Sequence, residues 1–169
     1  AQCPSIAPEW EDPEGVPIDA FADGQQLSMA ERLHLFIEAC SAVTKAHRRG
    51  VIHGALKPAT ILITSDGTPK LVDFEAADQQ MMRADDIRSL GFVLDALVGS
   101  DPALGSRSHL RDDLDRIVRM ALGQDRRRVY GSVDELAADV RNAIESLATR
   151  ARARIRRRPP EGANNPHRT

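Results

Sequence analysis

Apolar residues recur at three- and four-residue steps in four stretches of the chain. Leu33, Phe36, Cys40 and Val43 put one stripe on a helix of about 20 residues that opens at Ser28 and closes at Gly50. Ser28 and Glu31 form a capping box, in which hydroxyl and carboxylate each satisfy an amide that the first turn leaves without a partner. Ile87, Leu90, Gly91, Leu94 and Leu97 mark a second apolar helix, and Leu114, Ile117, Val118 and Ala121 a third, over Asp113 to Gly123. A second capping box, Ser132 with Glu135, opens a fourth, with Leu136, Val140, Ile144 and Leu147 on one face. Between the first and second helices lie two short β-rich runs, 60–64 and 69–74, joined by Ser65-Asp66-Gly67, which reads as a hairpin turn. The pattern predicts a mainly α fold with one small β-hairpin.

At 169 residues, 41% apolar and 28% charged, the chain is long enough for one domain with tails and apolar enough to bury a core. The predicted organisation is an acidic, proline-containing disordered arm over 1–15, a folded body over 16–148, and an arginine-rich helix end with a disordered tail over 149–169. No repeat is visible, and no window approaches the ~18–20 apolar residues of a membrane-spanning helix. The start at Ala1 fits a segment cut from a longer protein. Cys40 sits among apolar residues and reads as a reduced thiol, which places the chain in the cytoplasm; a single bridge to Cys3 stays open as the alternative.

The net charge of −2 hides an asymmetry. Residues 1–31 carry Glu9, Glu11, Asp12, Glu14, Asp19, Asp23 and Glu31 and no Lys or Arg, while Arg150, Arg152, Arg154, Arg156, Arg157 and Arg158 crowd the other end. The basic run is either a solvated tail or a segment that meets an anionic membrane surface. No aromatic residue interleaves with it, so a nucleic-acid partner is not favoured.

The segment VIHGALKPATILITSDGTPKLVDFEAA, 51–77, resembles the catalytic core of the eukaryotic-like Ser/Thr protein kinases of bacteria. That family places His-Arg-Asp-Leu-Lys-Pro-x-Asn before one short strand and Asp-Phe-Gly after the next. LSMAERLHLFIEACSAVTKAHRRG is similar to the long helix before the catalytic loop, ADDIRSLGFVLDALV to the central helix of the large lobe, and DLDRIVRMALGQDRRRVYGSVDELAADV to its last two helices. The likeness covers about residues 16–145 in the right order. It implies a kinase-like C-terminal lobe lacking the N-terminal lobe, since no Gly-rich loop and no Val-Ala-Ile-Lys strand is present.

His53, Leu56, Lys57, Pro58, Asp73, Phe74 and Asp86 match the family's residues, whereas Gly54, Ala55, Thr60 and Glu75 stand where it has Arg, Asp, Asn and Gly. In the family that Asp accepts the substrate hydroxyl's proton and that Asn holds a second magnesium. Ala55 can do neither, so the resemblance implies a degenerate, pseudokinase-like site without catalytic residues. ATP and Mg²⁺ are not expected to bind well: Thr60 offers one neutral oxygen, and Asp73 alone is a weak metal candidate. Only ten residues separate Glu75 from Asp86, so most of the family's activation segment is missing, and Val129 replaces the Arg that pairs with that segment's Glu. The resemblance assigns structural roles to three survivors. Asp86 receives loop amides, and His53 stacks near Phe74. Lys57 corresponds to a phosphate-contacting lysine.

Three functional readings stay open. The first is a non-catalytic module that binds or regulates proteins in signalling. The second is part of an ATP-dependent Ser/Thr kinase whose N-lobe lies outside this chain. The third is a helical adaptor held on an anionic surface by its arginine tail. Leu62 and Val72 correspond to the floor of the family's adenine pocket. Left uncovered they would form an apolar binding face for a partner or a second copy, unless the arm folds Ile6, Trp10 and Val16 across them.

Overall fold

The computed structural model describes residues 15–75, 82–99, 109–125 and 128–156. In chain order the described elements are β1 (Val16–Pro17), α1 (Ile18–Gly24), α2 (Met29–Arg48), a 3₁₀ turn (Pro58–Thr60), β2 (Ile61–Ile63), β3 (Pro69–Leu71), α3 (Arg83–Gly99), α4 (His109–Ala121) and α5 (Val133–Arg156). The fold is mainly helical, as the periodicity requires.

Helix α2 begins and ends where its sequence says it should. The Ser28 side chain accepts from the Glu31 amide while the Glu31 carboxylate accepts from the Ser28 amide at 2.8 Å, closing the capping box. At the other end Gly50 takes φ +77°, and the amides of Gly50 and Val51 return to the carbonyls of His47 and Ala46. This is a Schellman stop, which a residue with a Cβ would strain. The stripe Leu33, Phe36, Cys40, Val43 is fully buried. Cys40 is a free thiol whose pKa burial pushes up; Cys3, its alternative partner, lies outside the described residues.

The central α3 buries Ile87, Leu90, Gly91, Leu94 and Leu97, and packs against α2 and α4. Helix α4 begins at His109, four residues before the expected start, because Leu110 extends its buried stripe by one turn. Helix α5 packs on α2 and α4 through Leu136 and Val140 and continues unbroken to Arg156. Two expectations for α5 are corrected. Leu147 is 37% exposed, since the helix has by then passed the end of the body. The capping box at its start is only half formed: the Glu135 amide donates to Ser132 Oγ, but the Glu135 carboxylate accepts from Gly131.

The hairpin is the core of a three-stranded antiparallel sheet in the order β1-β2-β3. Val16 and Pro17 pair with Ile63 and Leu62, and Ile61 to Ile63 pair with Leu71 to Pro69. The chain crosses Leu62 so closely that a Cβ on Gly15 would lie 2.8 Å from the Leu62 Cβ. Leu62 and Val72 are half-buried. The acidic arm, with Ile6 and Trp10, lies outside the described residues, as do Arg157 and Arg158.

A test of this packing uses the α3–α4 contact. A Cβ at Gly91 would sit 2.9 Å from the Ala121 Cβ and 3.2 Å from Leu122 Cδ2. Gly91→Val is expected to destabilise by about 1–3 kcal/mol through overpacking. Gly99→Ala, at a position with nothing within 4 Å, should not lower the urea midpoint. Equal midpoints for both variants would show the helices are not in contact there.

Candidate functional site

The site is a loop held from below. Its anchor is Asp86, in the first turn of α3 and fully buried. One carboxylate oxygen accepts the His53 amide at 2.9 Å and His47 Nε2 at 2.7 Å, and the other accepts the Gly54 amide at 2.9 Å. Burial works against the charge, but the bonds from His47, His53 and Gly54 outweigh it and hold the carboxyl below its ordinary value. Gly54 adopts φ +78°, the left-handed conformation that glycine reaches without strain, and so presents its amide to Asp86.

His53 carries the next layer and is also fully buried. Its Nε2 lies 2.9 Å from the Val72 carbonyl, and Nδ1 accepts from the Ala55 amide at 3.3 Å, an arrangement that requires the neutral Nε2–H tautomer. The ring stacks on Phe74 with centroids 4.3 Å apart, and the His53 carbonyl accepts the Glu75 amide at 3.0 Å. Burial pushes the His53 pKa down, against the opposing pull of Asp86, the Val72 carbonyl and Asp73. Asp73 makes this return possible by taking φ +57°, a conformation Asp tolerates better than most residues. The Asp73 side chain is exposed.

Thr60 stands where the resemblance places a metal-holding Asn, and its hydroxyl is turned into the loop. It is fully buried, and its hydroxyl accepts the Lys57 amide at 3.0 Å while facing the carbonyls of Ala55 and Lys57 at 3.2 and 3.1 Å. The oxygen is consumed in closing the loop on itself. Ala55 contributes a methyl group, and Lys57 is exposed. Among the described residues no three His, Cys, Asp or Glu side chains converge as a metal site would require. Of the sequence-derived positions the structure brings together His53, Gly54, Ala55, Thr60, Val72, Phe74, Glu75 and Asp86. Lys57 and Asp73 point to solvent, and Val129, at the replaced Arg position, is 64% exposed.

His47 was not among the expected site residues. It extends the α2 stripe by one more four-residue step beyond Val43, and a histidine at a core position was the signal. Arg83, at the start of α3, donates to the His47 carbonyl at 3.0 Å and fixes the end of α2 against α3. Two clefts lie near this loop, and Phe74 lines the second of them. One of about 620 Å³ opens beside β1 and the hairpin turn, and one of about 240 Å³ lies between α2 and β3. No described helix is long and apolar enough to cross a membrane.

With this geometry in view, the chain compares with known proteins as follows. No family model matches it. A probable serine/threonine-protein kinase of Streptomyces coelicolor, SCO3848, is 23% identical over 77% of this chain and 27% of its own length. The serine/threonine-protein kinase PknB of Mycobacterium leprae is 25% identical over 65% of the chain and 26% of its own length. The probable PknB of Lactococcus lactis is 41% identical over 51 residues, 30% of the chain. The chain spans about a quarter of the length of the first two relatives.

Two predictions follow from the buried network. Asp86→Ala leaves two loop amides and the His47 ring without an acceptor, and should cost about 2–3 kcal/mol, read as a lower urea midpoint at unchanged slope. A variant that unfolds with the parent would contradict the buried anchor. The second concerns acid. A histidine whose pKa is lower folded than unfolded adds stability that is fully present above its unfolded value of 6.5 and fades as pH falls from there. The lowered Asp86 carboxyl adds stability present above 3.8 and lost below it. The melting temperature should therefore drop as pH falls from about 6.5 towards 5. His53→Gln, which keeps a donor for the Val72 carbonyl, should flatten that drop. An unchanged slope would contradict the neutral, buried His53.

Proposed function

We propose that this relative of the bacterial Ser/Thr protein kinases, built as their C-terminal lobe, is a non-catalytic, pseudokinase-like module that binds or regulates a protein partner. One observation carries the reading. The loop keeps its scaffold, Asp86 beneath and His53 on Phe74, while the groups that would do chemistry are gone. At the position of the general base stands Ala55, and the hydroxyl at the position of the metal-binding Asn is spent on the loop's own backbone. General-base assistance is typically worth a factor of ~10²–10⁴, and metal placement acts in addition to it. A loop held this firmly without either group fits a surface that must keep its shape for recognition. The second reading, a piece of an active kinase, would need another residue to supply the base.

The test is transfer of labelled γ-phosphate from ATP and Mg²⁺ to the protein itself and to a basic substrate, using the longest form its gene encodes. No incorporation above a boiled control is expected. Ala55→Asp alone should also stay inactive, because the Thr60 hydroxyl remains engaged and residues that act as a unit do not contribute additively. Transfer by the parent would overturn the non-catalytic reading in favour of the kinase one.

A further inference from the structure

The cleft between α2 and β3, of about 240 Å³, has a consistent chemistry. Ala42, Ala46, Leu71 and Phe74 give it an apolar floor. Lys45 and Arg49, one turn apart on α2, stand on one wall and Lys70 of β3 on the other, with no acidic residue in the lining. Elsewhere on the body cations find acids: Arg32 pairs with Asp23, Arg48 with Asp134 and Arg116 with Asp139. Lys45 and Lys70 make no ion pair among the described residues. The larger cleft has no such bias, since its lining sets Lys70 against Asp66.

These features select the occupant by its chemistry. The volume is below the ~300–1,000 Å³ typical of small-molecule sites and suits one large side chain. Unpaired cations on opposite walls call for an anion on each side of that side chain. An extended polypeptide supplies this directly, because consecutive side chains alternate in direction at about 3.3 Å per residue, so that acids flanking an apolar residue stay at the rim while it reaches the floor. A flat bilayer surface reaches no floor between a helix and a strand. Phe74 already stacks on His53 at 4.3 Å, so a nucleic-acid base would find no separate aromatic platform. Pro69 offers no amide at the edge of β3, which leaves side chains to make the contact. We propose that the α2–β3 cleft docks a short acidic segment of a partner protein, with one large apolar side chain on the floor and carboxylates on both sides facing Lys45 and Lys70. This gives the partner-binding role put forward above a surface, and rests on that reading.

The test titrates the 169-residue chain into fluorescein-labelled Glu-Asp-Phe-Asp-Glu and reads anisotropy. Saturable binding is expected, weaker by about tenfold when the peptide's phenylalanine is replaced by serine, or its acids by their amides. Lys45→Glu with Lys70→Glu should weaken it by at least as much, whereas Arg88→Glu, an exposed cation of α3 outside the cleft, should not. Lys45→Gln with Lys70→Gln, which removes the charges without reversing them, should act in the same direction at an unchanged melting temperature. No saturable binding would overturn the proposal, as would binding indifferent to both lysine pairs. Equal competition by a thymidine oligonucleotide or by phosphatidylserine vesicles would overturn it in favour of a nucleic acid or a membrane. No ATP is present, so failure here would leave the phosphate-transfer result standing, and phosphate transfer by the parent would leave this one.

Discussion

A buried carboxylate is the constraint on which the rest of this structure depends. Taking an anion out of water costs several kcal/mol unless donors replace the lost hydration, and Asp86 obtains them from three places: the end of α2 through His47, and the loop through the amides of His53 and Gly54. Satisfying one charge therefore fixes the relation of α2, α3 and the loop together. Arg83 reinforces the same junction by closing the last turn of α2 from the α3 side. The loop's shape is set by the two helices beneath it.

This explains how the loop keeps its shape with Ala55 and Thr60 in it. The polar groups that remain are turned inward and paired: Thr60 with the backbone at 55 and 57, His53 with Val72 and Ala55. The Thr60 hydroxyl provides the Lys57 amide with an acceptor inside the loop. Lys57 and Asp73 face solvent, whereas the Asp86 carboxylate is buried.

Much of this was legible in the sequence, and the reasons for the remainder are physical. Helices α2 and α3 were readable because each carries a buried stripe several turns long, and the stripe of α2 runs on into His47. Elements β1 and α1 were not readable: two and seven residues are too few for a period to show, and both exist because the sheet and α3 give them something to pack on. Leu147 matched the α5 pattern but lies past the last partner helix, and periodicity alone cannot tell where a partner ends. The Ser132–Glu135 motif was half right because the Gly131 amide competes for the same carboxylate. The places of Asp86, His53 and Phe74 were available only through resemblance to a family, since no local rule brings residues some twenty to thirty positions apart into contact.

The sheet also limits how this body can meet another chain. Its two edge strands are two and three residues long, and each contains a proline, Pro17 in β1 and Pro69 in β3. Proline offers no amide to a ladder, and short strands give an incoming strand little to pair with, so strand addition at either edge is disfavoured. A cleft such as that between α2 and β3, lined by Lys45, Arg49 and Lys70 over an apolar floor, would make two demands of any occupant, acids for the cations and a large apolar residue for the floor. Those two demands together are more selective than either alone, because an acidic segment without the apolar residue gains only screened surface electrostatics, and an apolar residue without the acids forgoes them.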